Sequence, residues 1–221
     1  MKDVNFKQSE DTLFLEEEHI ILKDQIKKFV ETEVKPEGPK WEADGFIPRE
    51  VFKKMGALGF LGITYPAEFG GSEMDVRGSV IFAEELGKST FSGFAIASLV
   101  HTDMASVHLL NAGNKEQKEM YLSDIVAGNK ISCVAVTEPH AGSDVKNIKT
   151  KAQKVGNKYL INGSKIFITN GVHADIYFVA AKTSDGSQQS GNITMFIVKK
   201  DNPGLIVNKQ LDKHGWRCSD T

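Results

Sequence analysis

The stretch GNKISCVAVTEPHAGSD, residues 128–144, marks a change in the pattern of the chain. Before Gly128, apolar residues recur every three or four positions. From Ile131 they fall in short runs that are rich in β-branched and aromatic side chains. The first pattern is typical of helices with one buried face and the second of strands. The sequence therefore predicts an α+β protein of two domains, a helical domain over 1–129 and a small β domain over 130–221.

The helical half contains several start and stop signals. A stripe with helical spacing opens it: Leu15, His19, Leu22, Ile26, Phe29 and Val30. We expect Gly38 and Pro39 to end that first segment. Pro48 is placed to open a short helix and Asp75 to cap a third. Residues 90–112 predict a fourth helix, and Asn114 with Gln117 resembles the capping box of a fifth.

The β half predicts strands at five short runs: KYLI, KIFIT, DIYFVAA, ITMFIV and GLIV. The pair Gly156–Asn157 between KAQKV and KYLI is a typical two-residue hairpin turn. The segment TSDGSQQSGN, residues 183–192, predicts a polar loop between strands.

Composition excludes several classes of protein. The 221 residues carry a net charge of -2, which offers no basic surface for nucleic acid. The two cysteines, Cys133 and Cys218, are too few for a disulfide scaffold or a zinc site and favour a reducing, cytoplasm-like compartment. We expect no membrane span and no secretory signal, because the apolar runs are short and the N-terminus is polar.

Two stretches predict a ligand site. In AVTEPHAGSD, a strand that ends at Thr137 places a hydroxyl beside a loop in which Gly142 permits close approach of the backbone and Ser143 adds a hydroxyl. In KIFITNG, alternation presents Phe167 and Thr169 on one face, which suits a flat ring with polar edges. Residues alone leave simpler alternatives open: a capped turn for the first stretch and a half-buried strand for the second.

Other candidates favour structural roles. His101 and His108 lie seven residues apart, too far for a zinc pair on one helix turn, and are expected to be buried or at a rim. Cys133 lies within an apolar strand and is expected to be inert. The chain has no phosphate-loop or nucleophile-elbow spacing.

Seven stretches in order resemble the acyl-CoA dehydrogenase family: EEEHIILKDQIKKFVETEVKP, GFLGITYPAEFGGSE, FAEELGK, QKEMYLSDIVAGN, AVTEPHAGSD, NGSKIFITNG and LDKHGWRCSDT. The match departs from the family at Asn147, where a small residue is usual, and at Phe167, where many members have tryptophan. The resemblance implies an N-terminal all-α domain followed by a small β-barrel-like or β-sandwich domain.

The resemblance also implies a cofactor, FAD, and a set of residues that face it. These residues are Val134, Ala135, Val136, Thr137, Gly142, Ser143, Phe167, Ile168 and Thr169. Residues 134–137 would contact the flavin pyrimidine, Phe167 would stack near the flavin, and Thr169 would lie by its N5 atom. Gly142 and Ser143 would approach the pyrophosphate, and Ser143 also the CoA part of the substrate.

The implied reaction is α,β-dehydrogenation of acyl-CoA thioesters to trans-2-enoyl-CoA, as in fatty acid β-oxidation. The implied partners are acyl-CoA, an electron-transferring flavoprotein as acceptor, and further copies of the chain in a dimer or tetramer. The compartment would be cytoplasmic, or the mitochondrial matrix in a eukaryote.

The family's catalytic glutamate and C-terminal helical bundle lie beyond the matched stretches. No catalytic residue is therefore assigned, and we expect the chain to be the front part of a longer enzyme that is inactive alone. Two alternatives stay open: a related flavin oxidase or monooxygenase, and a truncated non-catalytic piece that binds acyl-CoA or dimerises.

Overall fold

Seven α-helices precede five strands in the described residues, 14–183 and 192–221, of this computed structural model. The helices are α1 Glu17–Phe29, α2 Lys35–Asp44, α3 Arg49–Ala57, α4 Val76–Gly87, α5 Ser92–Leu99, α6 Ser106–Ala112 and α7 Lys115–Val126. The strands are β1 Ser132–Ala135, β2 Lys151–Val155, β3 Lys158–Asn162, β4 Ile176–Thr183 and β5 Asn192–Lys199. The predicted class, helices followed by a β domain, is confirmed.

The predicted stripe on the first helix forms part of the helical core. His19, Leu22, Ile26, Phe29 and Val30 are buried. Leu15 is partly buried and packs against the same cluster. The 3.6-residue period therefore identified the buried face correctly.

The predicted helix end at Gly38–Pro39 is wrong. A π-helical turn, Val30–Val34, joins α1 to α2, and both Gly38 and Pro39 lie inside α2. A Cβ atom on Gly38 would lie only 2.4 Å from the ring of Phe91. Gly38 therefore permits a close approach between elements and does not break the helix.

The two predicted caps are present. The Asp75 carboxylate accepts a hydrogen bond from the Arg77 backbone N–H at 2.8 Å at the start of α4. Asn114 Oδ1 accepts from the Gln117 backbone N–H at 2.8 Å, while Gln117 Oε1 accepts from Asn114 N–H at 3.0 Å. This reciprocal pair satisfies donors that the first turn of α7 leaves free.

One continuous helix, Ser92–Ala112, runs through α5, a π-helical turn at Val100–Ala105, and α6. Contrary to expectation, its 21 residues are long and apolar enough to cross a membrane by length and composition. However, 56% of its apolar window is buried inside the protein. The helix is accordingly a core helix, around which the other elements pack.

The strands form one mixed sheet with β4 at its centre. Along the path β1-β4-β2-β3, β4 is parallel to both β1 and β2, and β5 pairs antiparallel with its other edge. Gly156 has a φ of 61° in the two-residue turn between β2 and β3. This is the predicted hairpin, and glycine adopts that backbone without steric cost.

Two predicted strands are absent from the described residues. KIFIT forms an irregular segment and turn, because Phe167 and Asn170 both have positive φ, at 60° and 63°. GLIV is also irregular, since Leu205 N–H bonds back to Asn202 in a local turn. The predicted loop at 183–192 joins β4 to β5, and its residues 184–191 lie outside the described part of the chain.

His101 joins the long helix to the sheet. The imidazole is fully buried, its Nδ1 accepts from the Ser132 backbone N–H at 3.1 Å, and its Nε2 donates to the Ile125 carbonyl at 3.0 Å. These partners require the neutral tautomer with the proton on Nε2. The expectation of a structural role is therefore confirmed, and the residue fixes the first strand against α7 and the long helix.

The structure predicts that His101 makes folding stability depend on pH. Burial lowers the pKa of His101 to about 4, although the bond to Ile125 opposes this. The unfolded state takes up a proton near pH 6.5 that the folded state excludes, so this stability is full above that pH and is lost as the pH falls towards 4. The loss is on the order of 3 kcal/mol, since one pKa unit corresponds to about 1.4 kcal/mol.

Urea unfolding from pH 7.5 to 4.5 measures this effect. The difference in unfolding free energy between the parent chain and His101→Gln should shrink as the pH falls, because glutamine does not titrate. His214→Gln is the control, since His214 is exposed and should leave the pH dependence unchanged. A pH-independent difference for His101→Gln would show that the folded state accepts the proton.

Candidate functional site

The end of β1 leads into a tight turn that sets the geometry of the candidate site. Glu138 N–H donates to Ala141 O at 2.9 Å, and Ala141 N–H donates back to Glu138 O at 3.1 Å. Pro139 has no N–H to donate and sits at the tip of this turn. Gly142 and Ser143 follow directly and are exposed. The turn therefore delivers both residues to the surface just beyond the strand end.

The segment 165–171 lies beside this strand end. Ile166 N–H donates to Thr137 O at 3.0 Å, and Lys165 Nζ donates to Val136 O at 2.8 Å. The two stretches that the sequence singled out are thus adjacent, although the second is not a strand. Together residues 137–143 and 165–169 form a surface that we call the rim.

Phe167 is the most unusual residue of the rim. Its φ is 60°, in the left-handed region that a bulky side chain seldom adopts, and its side chain is 65% exposed. The ring therefore does not fill the core, and its position does not relieve the strain in its own backbone. Such strain persists only where surrounding contacts impose it, and it is common at ligand sites.

The hydrogen bonds of Asn170 help to impose this backbone conformation on the segment. Its side chain is buried and its Nδ2 donates to Ala97 O at 2.9 Å and to Ser132 O at 3.3 Å. Its backbone N–H donates to Asp220 O at 2.9 Å. Asparagine tolerates positive φ better than most residues. Asn170 therefore fastens the far end of the segment to the long helix, to β1 and to the chain end at once.

The rim leaves hydrogen-bond donors free. Within residues 14–183 and 192–221, the backbone N–H groups of Gly142 and Ser143 make no hydrogen bond. The same holds for the hydroxyls of Thr137, Ser143 and Thr169. A Cβ atom on Gly142 would meet nothing within 4 Å, so its backbone faces open space. Free donors beside an exposed ring suit a flat ligand with acceptor edges and phosphate oxygens.

Two acceptors that the sequence placed at the site are already used. Val136 O accepts from Lys165 and Thr137 O accepts from Ile166. Val134 and Ala135 pair with β4 opposite Phe178 and Val179. The site prediction for these four residues stays a prediction, and their contribution to a ligand would come from the hydroxyl of Thr137 and from the outer edge of β1.

A cavity adjoins the rim and shares part of its lining. It has a volume of about 820 Å³, with Tyr177, Val179 and Val198 of the sheet and Leu205 among its lining residues. Of the predicted site residues it contacts only Ala135, Phe167 and Ile168. Thr137, Thr169, Gly142 and Ser143 lie outside it, whereas Pro139 and residues 165–168 of the rim also line it, so the rim and the cavity share one edge.

Glu138 and Lys165 belong to the two segments of the rim, and their nearly buried side chains form a charged pair that the sequence did not single out. Glu138 is 3% exposed and its carboxylate accepts from Lys165 Nζ at 2.8 Å. Burial by itself raises the pKa of Glu138, but hydrogen bonds from Lys165, Thr150 and the backbone outweigh it and lower the pKa to about 2. Burial lowers the pKa of Lys165, because Glu138 and one carbonyl only partly compensate for lost water. Glu138 is therefore ionised at neutral pH.

Comparison with known proteins finds a family match over almost the whole chain. Residues 16–129 match the family described as acyl-CoA dehydrogenase, N-terminal domain, and residues 133–221 match acyl-CoA dehydrogenase, middle domain. The mitochondrial isovaleryl-CoA dehydrogenase of Pongo abelii is 38% identical over 210 residues, which are 94% of this chain and 49% of that protein.

Solved structures give the same result. The acyl-CoA dehydrogenase of Geobacillus kaustophilus is similar with a TM-score of 0.88 and 38% identity over 94% of this chain and 55% of that one. A glutaryl-CoA dehydrogenase of Mycobacterium smegmatis in complex with FADH2 has a TM-score of 0.85 and 30% identity, over 93% and 51% of the two chains. The chain thus spans about half the length of these relatives.

Replacement of Asn170 tests the anchor of the rim. Asn170→Ala should lower the free energy of unfolding by about 3 kcal/mol, because it removes two hydrogen bonds to buried carbonyls and leaves alanine with positive φ. Asn170→Gly should be less harmful, since glycine accepts that φ. Urea denaturation measures both, with exposed Asn162→Ala as the control, expected to change stability by less than about 0.5 kcal/mol. Equal effects at Asn170 and Asn162 would mean that the anchor contributes nothing.

Proposed function

The chain belongs to the acyl-CoA dehydrogenase family, and we propose that it is the front part of an enzyme that uses FAD to convert acyl-CoA thioesters to trans-2-enoyl-CoA. The single observation that carries this proposal is the rim. It combines an exposed, strained Phe167, on a segment bonded to the strand end at Thr137, with uncommitted donors on Gly142 and Ser143 in the turn that follows that strand. The FADH2 complex of the mycobacterial relative supports the choice of cofactor.

The residues present fit FAD. The flavin has acceptor oxygens along its pyrimidine edge and a pyrophosphate further away, and the rim offers hydroxyls at one position and backbone N–H groups at another. We propose that Thr137 and Thr169 donate to the flavin edge while Phe167 covers part of its ring. Gly142 and Ser143 would donate to the pyrophosphate, with the Ser143 hydroxyl also available to the CoA part of the substrate.

FAD supplies a hydride acceptor for the β-hydrogen of the substrate. The residues of this chain bind and orient, because a rigid rim sets the distance and angle at which a substrate meets the cofactor. The α-proton requires a base within hydrogen-bond reach, roughly 2.6 to 3.2 Å. We assign that base to none of the 221 residues, since no glutamate here matches the family's catalytic position.

The proposed partners follow from the reaction and from the family. Electrons delivered to FAD must leave through an acceptor, for which an electron-transferring flavoprotein is the proposed partner. We also propose that the enzyme works as a dimer or tetramer. Both proposals concern the whole enzyme, of whose relatives this chain spans about half.

A flavin titration tests the cofactor. The chain should quench the fluorescence of added FAD, and Phe167→Ala should weaken binding roughly 3- to 10-fold, because aromatic stacking contributes about 0.5 to 1.5 kcal/mol. Phe14→Ala is the matched control, since Phe14 is also exposed but lies in the helical domain. Equal loss of binding in both variants, or no binding by the parent chain, would contradict the proposed flavin surface.

An activity assay tests the assignment of the base. With FAD and a range of acyl-CoA substrates, residues 1–221 should not reduce an electron-accepting dye, because the base is missing. A full-length family member run in parallel shows that the assay works. Substantial turnover by residues 1–221 that disappears when one of their own glutamates becomes glutamine would show that the base lies in this chain.

A further inference from the structure

A buried carboxylate beneath the surface of the rim accepts hydrogen bonds from two other stretches of chain. Glu138 accepts from the backbone N–H of Lys149, from the backbone N–H of Thr150 at 2.9 Å, from the Thr150 hydroxyl, and from Lys165 Nζ at 2.8 Å. His140 Nε2 also lies 3.2 Å from it. A carboxylate has about four acceptor sites, so Glu138 is fully satisfied although its side chain is only 1% exposed.

Lys165 completes the connection. Its side chain is 11% exposed, and Nζ donates to both Val136 O and Glu138 Oε1 at 2.8 Å. The next residue, Ile166, donates its N–H to Thr137 O. Three consecutive residues at the strand end, 136–138, are thereby bonded to two consecutive residues of the neighbouring segment: Val136 and Glu138 to Lys165, and Thr137 to Ile166. Phe167 follows immediately.

From this geometry we propose that Glu138 and Lys165 are positioning residues, which set the spacing between the strand end at Thr137 and the segment Phe167–Thr169. The inference rests on the proposed function, since it assigns a purpose to that spacing: it holds two sides of a flavin surface in register. Their side chains, 11% exposed for Lys165 and 1% for Glu138, contribute little of the surface itself. They act through the backbone of residues 137 and 166.

The direction of the bonds favours positioning over general stabilisation. A buried ion pair often stabilises a fold no better than well-packed apolar residues would. This pair bonds to the backbone at Val136, next to Thr137, and to the backbone N–H groups of Lys149 and Thr150, which close the loop that carries Gly142 and Ser143. Removing Lys165 also takes away the one ammonium group that bonds this buried carboxylate among the described residues, so the loop must rearrange to reach water.

Hydrogen exchange on the 221-residue chain tests this inference without a ligand. Lys165→Met keeps the alkyl stem and removes the ammonium. Exchange of the Ile166 amide should become at least 10-fold faster, whereas amides in the helical domain, such as that of Ile125, should not change. Lys154→Met is the matched control, because Lys154 is an exposed lysine of strand β2 in the same domain. If Lys165→Met does not fold, Lys165→Gln replaces it. Its uncharged amide can still donate, so the expected increase in the exchange rate of the Ile166 amide is smaller.

Flavin binding supplies the second readout. Lys165→Met should weaken FAD binding at least 10-fold and change the visible circular dichroism of bound flavin at saturation, while Lys154→Met should change neither. Lys165→Arg retains the positive charge and can donate to both Val136 O and Glu138, so it should recover part of the affinity for FAD. Unchanged Ile166 exchange and an unchanged flavin spectrum in Lys165→Met would overturn the inference. If the parent chain binds no FAD, the proposed function fails, and the Ile166 exchange still decides whether the pair holds the two segments together.

Discussion

The rest of the structure depends on the contact between His101 and the start of β1. The neutral imidazole of His101, a residue of the long helix, accepts a hydrogen bond from the Ser132 N–H and donates one to the Ile125 carbonyl. It fixes where the sheet begins relative to the end of the last helix, and β1 in turn sets the register of β4, the strand that three others join. The rim lies at the end of β1, only a few residues from this contact. Its position relative to the helical domain is therefore determined before any ligand binds.

The rim combines local strain with rigid support at both ends. Phe167 and Asn170 have backbone angles that cost free energy, on the order of 1 to 3 kcal/mol each in general. At one end Lys165 and Ile166 hold the segment to the strand end, and at the other Asn170 holds it to the helix and to β1. A ring fixed at the surface in this way loses little freedom on binding. Preorganisation of this kind raises affinity and precision without additional contacts.

The sequence predicted the order of the domains, the buried face of α1, the two caps and the β2–β3 hairpin, because local periodicity and capping chemistry determine each of them. Prediction from the sequence failed where contacts between distant residues determine the local structure. Gly38 looks like a helix end but is required by the ring of Phe91, and KIFIT alternates like a strand but is bent by contacts with residues distant in sequence. The candidate residues could be proposed from motifs, whereas the pairing of Glu138 with Lys165 could not, since nothing in either stretch shows that residues 27 positions apart meet.

The central claim is that residues 137–143 and 165–169 form one preorganised ligand surface for FAD. NMR spectra of the 15N-labelled chain during addition of FAD test it most directly, because each backbone amide reports separately. The account predicts that the amides of Gly142, Ser143 and Thr169 shift together with one dissociation constant, while amides of cavity residues outside the rim, such as those of Val198 and Leu205, shift little. Shifts centred on Val198 and Leu205, with the rim unchanged, would contradict the account.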